Sequence, residues 1–253
     1  MFDYAVILAA RNSSERLPNK ATVSYCPDGT TNIAQIIGRW QTSRRNPTII
    51  VITADMPEDR AVIEECDRLK IPYYASNEDV TTKMDKAITI FAPDAIQYIA
   101  RALGDNPLVD VALADWRYDV MCETGADSLF YGGDESRITY AGTTDIYSRS
   151  AWDRIAKMSA GDEREHPGAH FWNNIAKYSV IQLPLPPREY LAPVRTELDT
   201  PEDLQMFRKV WEQLRPAHYS KIMGLLDTID AINYLIANPD VSAINVGIQS
   251  KTQ

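Results

Sequence analysis

The chain has 253 residues, 45% of them hydrophobic and 24% charged, enough for one large domain and too apolar for a disordered chain. A formal net charge of -9 argues against nucleic acid or an anionic membrane as partner, because an acidic surface repels both. Three separated cysteines, Cys26, Cys66 and Cys122, exclude a zinc knuckle and a disulfide framework. With no basic leader and no run of ~20 apolar residues, the expectation is a cytoplasmic protein with reduced thiols.

Short β-branched runs alternate with amphipathic segments, the pattern of a parallel sheet covered by helices. The first predicted strand is Tyr4 to Leu8. A helix follows through Ile33, Ile36, Ile37 and Trp40, with Thr31 or Asn32 as its cap and Arg44 and Arg45 near its C-terminal end. Thr48 to Thr53 reads as the second strand. After it, Asp55 is the expected cap of a helix with Pro57, Glu58 and Asp59 in its first turn and Val62, Ile63, Cys66 and Leu69 on its inward face. Further strands are predicted at Ala95 to Ala102, Ser128 to Tyr131 and Val180 to Leu183. The remaining helices are placed at Pro107 to Met121, Ala151 to Met158, Phe171 to Lys177, Pro201 to Leu214 and Leu226 to Ala237. The proline-rich stretch Leu183 to Pro193 reads as a stiff connector within a domain rather than a boundary.

The loop after the first strand, Leu8-Ala-Ala-Arg-Asn-Ser-Ser-Glu-Arg-Leu-Pro-Asn-Lys20, gathers Arg11, Arg16 and Lys20 in an otherwise acidic chain. Small Ala9 and Ala10 let backbone approach a base or ribose, while Arg11, Ser14, Arg16 and Lys20 supply donors for phosphate oxygens. The plain alternative is a solvated basic loop. No Gly-x-Gly-x-x-Gly follows the first strand and no Gly-x-x-x-x-Gly-Lys-Ser/Thr occurs, so neither a standard dinucleotide fold nor a P-loop is supported.

Arg101-Ala-Leu-Gly-Asp105-Asn-Pro-Leu-Val-Asp110 ends the third predicted strand. Ligands of open parallel sheets bind outside the carboxyl ends of strands, so Asp105 faces the first loop, where it can hold Mg²⁺ against phosphate oxygens or simply turn the chain and cap the next helix. Arg195-Thr-Glu-Leu-Asp199-Thr-Pro-Glu-Asp-Leu204 is a helix start with Asp199 or Thr200 as cap; Asp199 is also a candidate metal ligand. In Arg164-Glu-His166-Pro-Gly-Ala-His170, Pro167 and Gly168 are expected to break the helix that would align the two histidines on zinc, which leaves His166 as a candidate for an anionic acceptor or as a packed helix-start residue.

These segments together resemble the cytidylyltransferases that make CMP-activated sugars, in particular the spore-coat polysaccharide type related to the acylneuraminate and Kdo enzymes. The family opening Gln-Ala-Arg-x-x-Ser-x-Arg-Leu-Pro-x-Lys is matched from Ala9 to Lys20. Thr53 to Asp59, Ser76-Asn-Glu-Asp79-Val80, Arg101 to Asp110, Arg164 to His166, Arg195 to Leu204 and the tail from Asn238 to Asn245 are similar to later motifs in the same order. The resemblance implies an α/β, GT-A-like nucleotidyltransferase fold: a mostly parallel sheet between helical layers, in a single domain over 1–253 with an acceptor and dimerisation subregion around 127–195 and a helical tail over 215–253. It implies CTP and a small acidic acceptor as partners, Mg²⁺ as cofactor and a homodimer.

Carried over, the catalytic set is Arg11, Lys20 and Asp105, and the metal ligands are Asp105 and Asp199. Nucleotide contacts fall to Leu8, Ala9, Ala10, Arg11, Ser14, Arg16, Lys20, Thr53 and Arg101; acceptor contacts fall to Asp145, Arg164 and His166. The chain departs from the family at Ala9, where the family has glutamine, and at Gly142-Thr-Thr-Asp145-Ile146, where it has Gly-x-Asp-x-Glu. The competing expectations are a GT-A glycosyltransferase, which wants an Asp-x-Asp after a strand, and a nucleotide-binding homologue without turnover.

Overall fold

The computed structural model describes residues 3–91, 95–131, 138–218 and 225–248, the side chains of 215–218 excepted. The parts of the expected tail at 219–224 and 249–253 lie outside them. The described residues form a seven-stranded sheet of order β3-β2-β1-β4-β6-β5-β7. The strands are β1 (Tyr4–Ala9), β2 (Thr48–Thr53), β3 (Tyr73–Ala75), β4 (Tyr98–Leu103), β5 (Ser128–Tyr131), β6 (Asp145–Ser148) and β7 (Val180–Leu183). All pairings are parallel except those of β6, which runs antiparallel to both β4 and β5.

Strand alternation explains the layering. Tyr4, Val6 and Leu8 point into one core with α1 (Asn32–Trp40), α2 (Arg60–Leu69), α4 (Val111–Thr124), α7 (Pro201–His218) and α8 (Thr228–Ala237). Ala5 and Ile7 point into the other, with α3 (Val80–Phe91), α5 (Arg149–Met158) and α6 (Pro167–Asn173). The fold is the expected mostly parallel α/β sandwich. Fully buried Trp40, Trp152 and Trp211 anchor helices on the two faces; burial of a large apolar side chain contributes ~1.5–3 kcal/mol.

Several local expectations change. The strand predicted over Ala95 to Ala102 runs from Tyr98 to Leu103, and β3, β6 and α3 were not anticipated. Each missed strand is too short to show an apolar run, and α3 carries Thr81, Thr82, Lys83 and Asp85 within its first half. Thr31, rather than Asn32, caps α1 by accepting the Ala34 amide. Asp55 caps nothing: Pro57–Asp59 forms one 3-10 turn that leads into α2, and Asp59 is buried. The helix expected from Pro107 starts at Val111, capped by Asp110 at 2.8 Å from the Leu113 amide, which relieves Asp105 of a capping role. Pro167 does not break a helix but begins α6, where its missing N–H costs nothing. A short helix near the chain end, α9 (Pro239–Ser242), leads into a 3-10 turn at Ala243–Asn245. No helix of the described residues is long and apolar enough to cross a membrane.

Candidate active site

The loop after β1 is tied down by its own polar side chains. Buried Asn12 accepts the Ala21 and Thr22 amides on its side-chain oxygen, each at 3.2 Å, and its carbonyl accepts the Ser14 and Asn19 amides. Its own amide donates to the fully buried Asp59 at 2.5 Å, so the turn before α2 holds the loop from below. Asn32, at the start of α1, donates to the Lys20 carbonyl at 3.1 Å and to the Gly104 carbonyl at 2.6 Å, joining this loop to the one after β4. A Cβ at Gly104 would sit 2.9 Å from the Ala9 carbonyl oxygen, so the two loops approach this closely because residue 104 is glycine.

That approach brings Lys20 between two carboxylates. Its Nζ lies 2.9 Å from Asp199 and 3.5 Å from Asp105. Tyr140 donates to the other oxygen of Asp105 at 3.0 Å, and Arg16 pairs with Asp199. Burial lowers the pKa of Lys20, opposed by Asp105 and assisted by Arg11 and Arg16. Asp199 sits at the entry to α7, where Thr200 accepts the Asp203 amide and Asp203 accepts the amides of Asp199 and Thr200 at 2.9 Å, a reciprocal cap. The Leu198 amide donates to the Asp105 carbonyl at 2.9 Å, so both carboxylates belong to one hydrogen-bonded unit.

Two adjoining cavities open here. The smaller, about 660 Å³, is lined by Ala9, Ala10, Arg11, Ser14, Lys20, Thr53, Arg101, Asp105 and Asp199. Arg11 is exposed and makes no ion pair with a described residue, and the buried Thr53 hydroxyl has no hydrogen-bond partner among them. Leu8 is outside the lining because its side chain points into the core, and Arg16 is outside it because it is turned toward Asp199. The larger cavity, about 950 Å³, lies beside the antiparallel strand and is lined by Thr143, Thr144, Asp145, Gly168, Trp172 and Arg195 among others. Arg101, Leu103, His166 and Glu197 line both.

Arg101 is buried and faces Asp145, its direct partner in the β4–β6 register, with a 3.3 Å ion pair. His166 is exposed at the junction, whereas His170 is buried and bonded through Nδ1 to Glu163 at 2.7 Å, so the two histidines share no ligand. Arg164 lines neither cavity. Its guanidinium is spent on Asp79 at 3.0 Å, Thr82 at 2.6 Å and the carbonyls of Ala156 and Ser159, which clamps the start of α3 to the end of α5.

Sequence reasoning did not single out Lys83, Glu165 or Glu197, all in the wall of the smaller cavity. Lys83 comes from the first turn of α3, and burial lowers its pKa, opposed by Glu165. The signal was present: Asp79 accepts the Thr82 amide at 2.8 Å, an N-cap pattern that predicts a helix exposing Lys83 one turn in. Asn12, Asn32 and Asp59 were missed because their work is on backbone groups that only the folded chain brings near.

A family model described as Cytidylyltransferase matches residues 5–222. The spore coat polysaccharide biosynthesis protein SpsF of Bacillus subtilis is 24% identical over 223 residues, covering 84% of this chain and 88% of that protein. Among solved structures, a cytidylyltransferase from Leptospira borgpetersenii superposes with a TM-score of 0.82 at 19% identity over 99% of this chain and 100% of its own. CMP:2-keto-3-deoxy-manno-octonic acid synthetase complexed with CTP gives 0.60 at 13% identity, over 83% of this chain and 99% of that one. A manganese complex of Rv0371c from Mycobacterium tuberculosis gives 0.54 at 15% identity, over 81% and 97%. At these identities the structural likeness is one of fold.

Proposed function

Since this chain belongs to the cytidylyltransferase family, of the CMP-sugar synthetase type, and is therefore a nucleotidyltransferase, we propose that it transfers CMP from CTP to a small acidic acceptor. The observation that carries this reading is Lys20 held between Asp105 and Asp199 at the wall of a cavity that opens directly into a second one. CTP occupies the smaller cavity in this reading, with Ala9, Ala10 and Thr53 toward the nucleoside and Arg11, Ser14, Lys20 and Lys83 toward the triphosphate. The fold neighbour solved with CTP supports the choice of donor. The acceptor occupies the larger cavity, its anionic group drawn to Arg101 and His166.

Among the described residues no group of three or more His, Cys, Asp or Glu side chains is arranged to hold a metal ion. Asp105 and Asp199 offer two carboxylates, which fits Mg²⁺, an ion usually bound by one or two carboxylates with substrate phosphates and water completing its shell. When bound, the ion would neutralise charge on the triphosphate. The chain's own part is positional. Phosphate oxygens take over the donors of Lys20, which frees the two carboxylates it now bridges, and Arg11 adds charge at the rim. An acceptor oxygen then bonds to the α-phosphorus, the bond to the bridging oxygen breaks, pyrophosphate leaves with that electron pair, and the acceptor's proton passes to solvent. Alignment and charge neutralisation supply the rate. Arg101, at the junction, orients both partners.

The test is pyrophosphate release with each nucleoside triphosphate, Mg²⁺ and a panel of sugar acids, phosphates and phosphonates. Release confined to CTP supports the reading. Measurable CTP binding with no release from any pair would make the chain a nucleotide-binding homologue, and release of a nucleoside diphosphate from a nucleotide sugar would make it a glycosyltransferase.

A further inference from the structure

The C-terminal segment from Leu225 to Ile248 lies beyond the part of the chain that the family model matches, yet it touches both loops that carry the central carboxylates. At its near end, Thr228 donates to the Leu108 carbonyl at 3.1 Å and accepts from Arg39 at 3.0 Å. Buried Arg39 also donates to the Pro107 carbonyl at 2.7 Å and the Leu226 carbonyl at 2.9 Å. One guanidinium thus ties the segment to the turn that follows Asp105.

At its far end, Asn245 is 2% exposed and donates to Asp203 at 2.9 Å and to the Arg195 carbonyl at 3.4 Å. Asp203 is completely buried and holds the Asp199 amide at 2.9 Å, with Arg195 donating to both its oxygens at 2.9 and 3.1 Å. A buried carboxylate with this many partners fixes the backbone it bonds. Ile248, three residues past Asn245, reaches the wall of the larger cavity beside Arg195 and Glu197.

We infer that this segment is a working part of the active site, a brace that sets the spacing of Asp105 and Asp199, with Asn245 and Thr228 as its positioning residues. Neither touches the smaller cavity; both act through the backbone of a loop that does. The inference rests on the nucleotidyltransferase reading for its catalytic consequence, but the bracing itself is a property of the folded chain. Loss of a partner one shell out from a metal ligand weakens metal affinity by roughly ten- to a hundredfold, and since Asn245 and Thr228 act one step further out, through Asp203 and the Leu108 carbonyl, the lower end of that range is the expected effect. Losing Asn245 therefore raises the metal requirement while nucleotide contacts made by the loop after β1 stay in place.

The full-length protein carrying Asn245→Ala, Thr228→Val or the exposed control Asn233→Ala tests this. Hydrogen exchange read by mass spectrometry reports the peptide over 195–204 and the loop over 104–110 in the free protein. Asn245→Ala is expected to lose protection at 195–204, Thr228→Val at 104–110, and Asn233→Ala at neither, with the β1 and β2 peptides unchanged in all three. In pyrophosphate release the first two variants raise half-saturating Mg²⁺ about tenfold with the CTP KM within twofold of the starting protein. Unchanged protection and unchanged Mg²⁺ requirement in both variants would overturn the inference, as would loss of protection spread evenly over the whole chain. If the starting protein releases no pyrophosphate with CTP, the enzyme reading falls, and the exchange pattern alone still decides whether the brace exists. A variant that fails to fold leaves the other to carry the test.

Discussion

The two sides of the site are built in different ways. On the proposed donor side, neighbouring parallel strands β1, β2 and β4 each deliver a loop at their carboxyl ends. Ala9, Arg11, Lys20, Thr53 and Asp105 in the wall of the smaller cavity end or closely follow those strands, whereas Lys83, Glu165 and Asp199 come from elsewhere in the chain. On the acceptor side, the cavity is assembled around the reversed strand β6, whose Asp145 meets Arg101 across 44 residues of chain. Parallel strands converge on the site from one direction, so a motif after each strand end is enough to mark it. An antiparallel insertion brings side chains together by register, and register is not visible in a short polar strand.

The contrast is broken most severely at Lys20. Lys20→Ala removes the cation common to both carboxylates, and turnover should drop about a thousandfold, the scale of losing one preorganised donor to transition-state charge. Circular dichroism should show the fold intact, because the loop keeps its Asn12, Asn32 and Asp59 bonds. Near-normal turnover would remove the proposed donor site.

On the acceptor side, Asp145→Asn leaves Arg101 buried without its carboxylate. The acceptor KM should rise about thirtyfold, as expected for disturbing one buried charge-assisted pair, and the CTP KM should rise less, since Arg101 lines that cavity too but is one donor among several there. Equal changes in both would mean that the two cavities do not divide the substrates.

A pH profile sharpens the same division. Burial depresses the Lys20 pKa below its ordinary 10.5. The folded chain therefore loses this proton before the unfolded chain does, so with rising pH the cost of burying the charge is relieved and Lys20's contribution to stability rises up to pH 10.5. Function moves the other way: kcat/KM for CTP should fall about tenfold per pH unit on an alkaline limb that begins below 10.5. That limb should vanish in Lys20→Arg.

Smaller effects follow outside the two cavities. Arg164→Met should cost about 1 kcal/mol in urea unfolding with kinetic constants unchanged, since its ion pair with Asp79 is partly exposed and serves α3 and α5. Ala9→Gln returns an amide to the wall of the donor cavity and should shift preference for CTP over UTP by about threefold in competition assays, the scale of a single net hydrogen bond.

The sequence shows much of the donor side and little of the acceptor side for the reasons above. The alternation of apolar runs was enough for a parallel sheet covered by helices, and the cap of α1 was narrowed to Thr31 or Asn32, of which the fold uses Thr31. That Asp105 faces the Lys20 loop followed from strand ends, whereas the place of Asp199 beside them came from the family resemblance, its helix-start pattern alone leaving the question open. Arg164 was misplaced because an arginine beside His166 looks the same in sequence whether it faces a cavity or a neighbouring helix cap. Lys83 was overlooked with α3, whose Thr-Thr-Lys start obscures its period, although its Asp79 cap was in view.

Gly104 has a consequence for anyone altering this protein. Because a side chain there would strike the Ala9 carbonyl oxygen at 2.9 Å, the distance between the donor loop and the Asp105 turn is maintained by a missing methyl group. Position 104 is therefore closed to mutational libraries. In the proposed reading, acceptor range is to be varied at the exposed cavity positions beside β6, away from the ruler between β1 and β4.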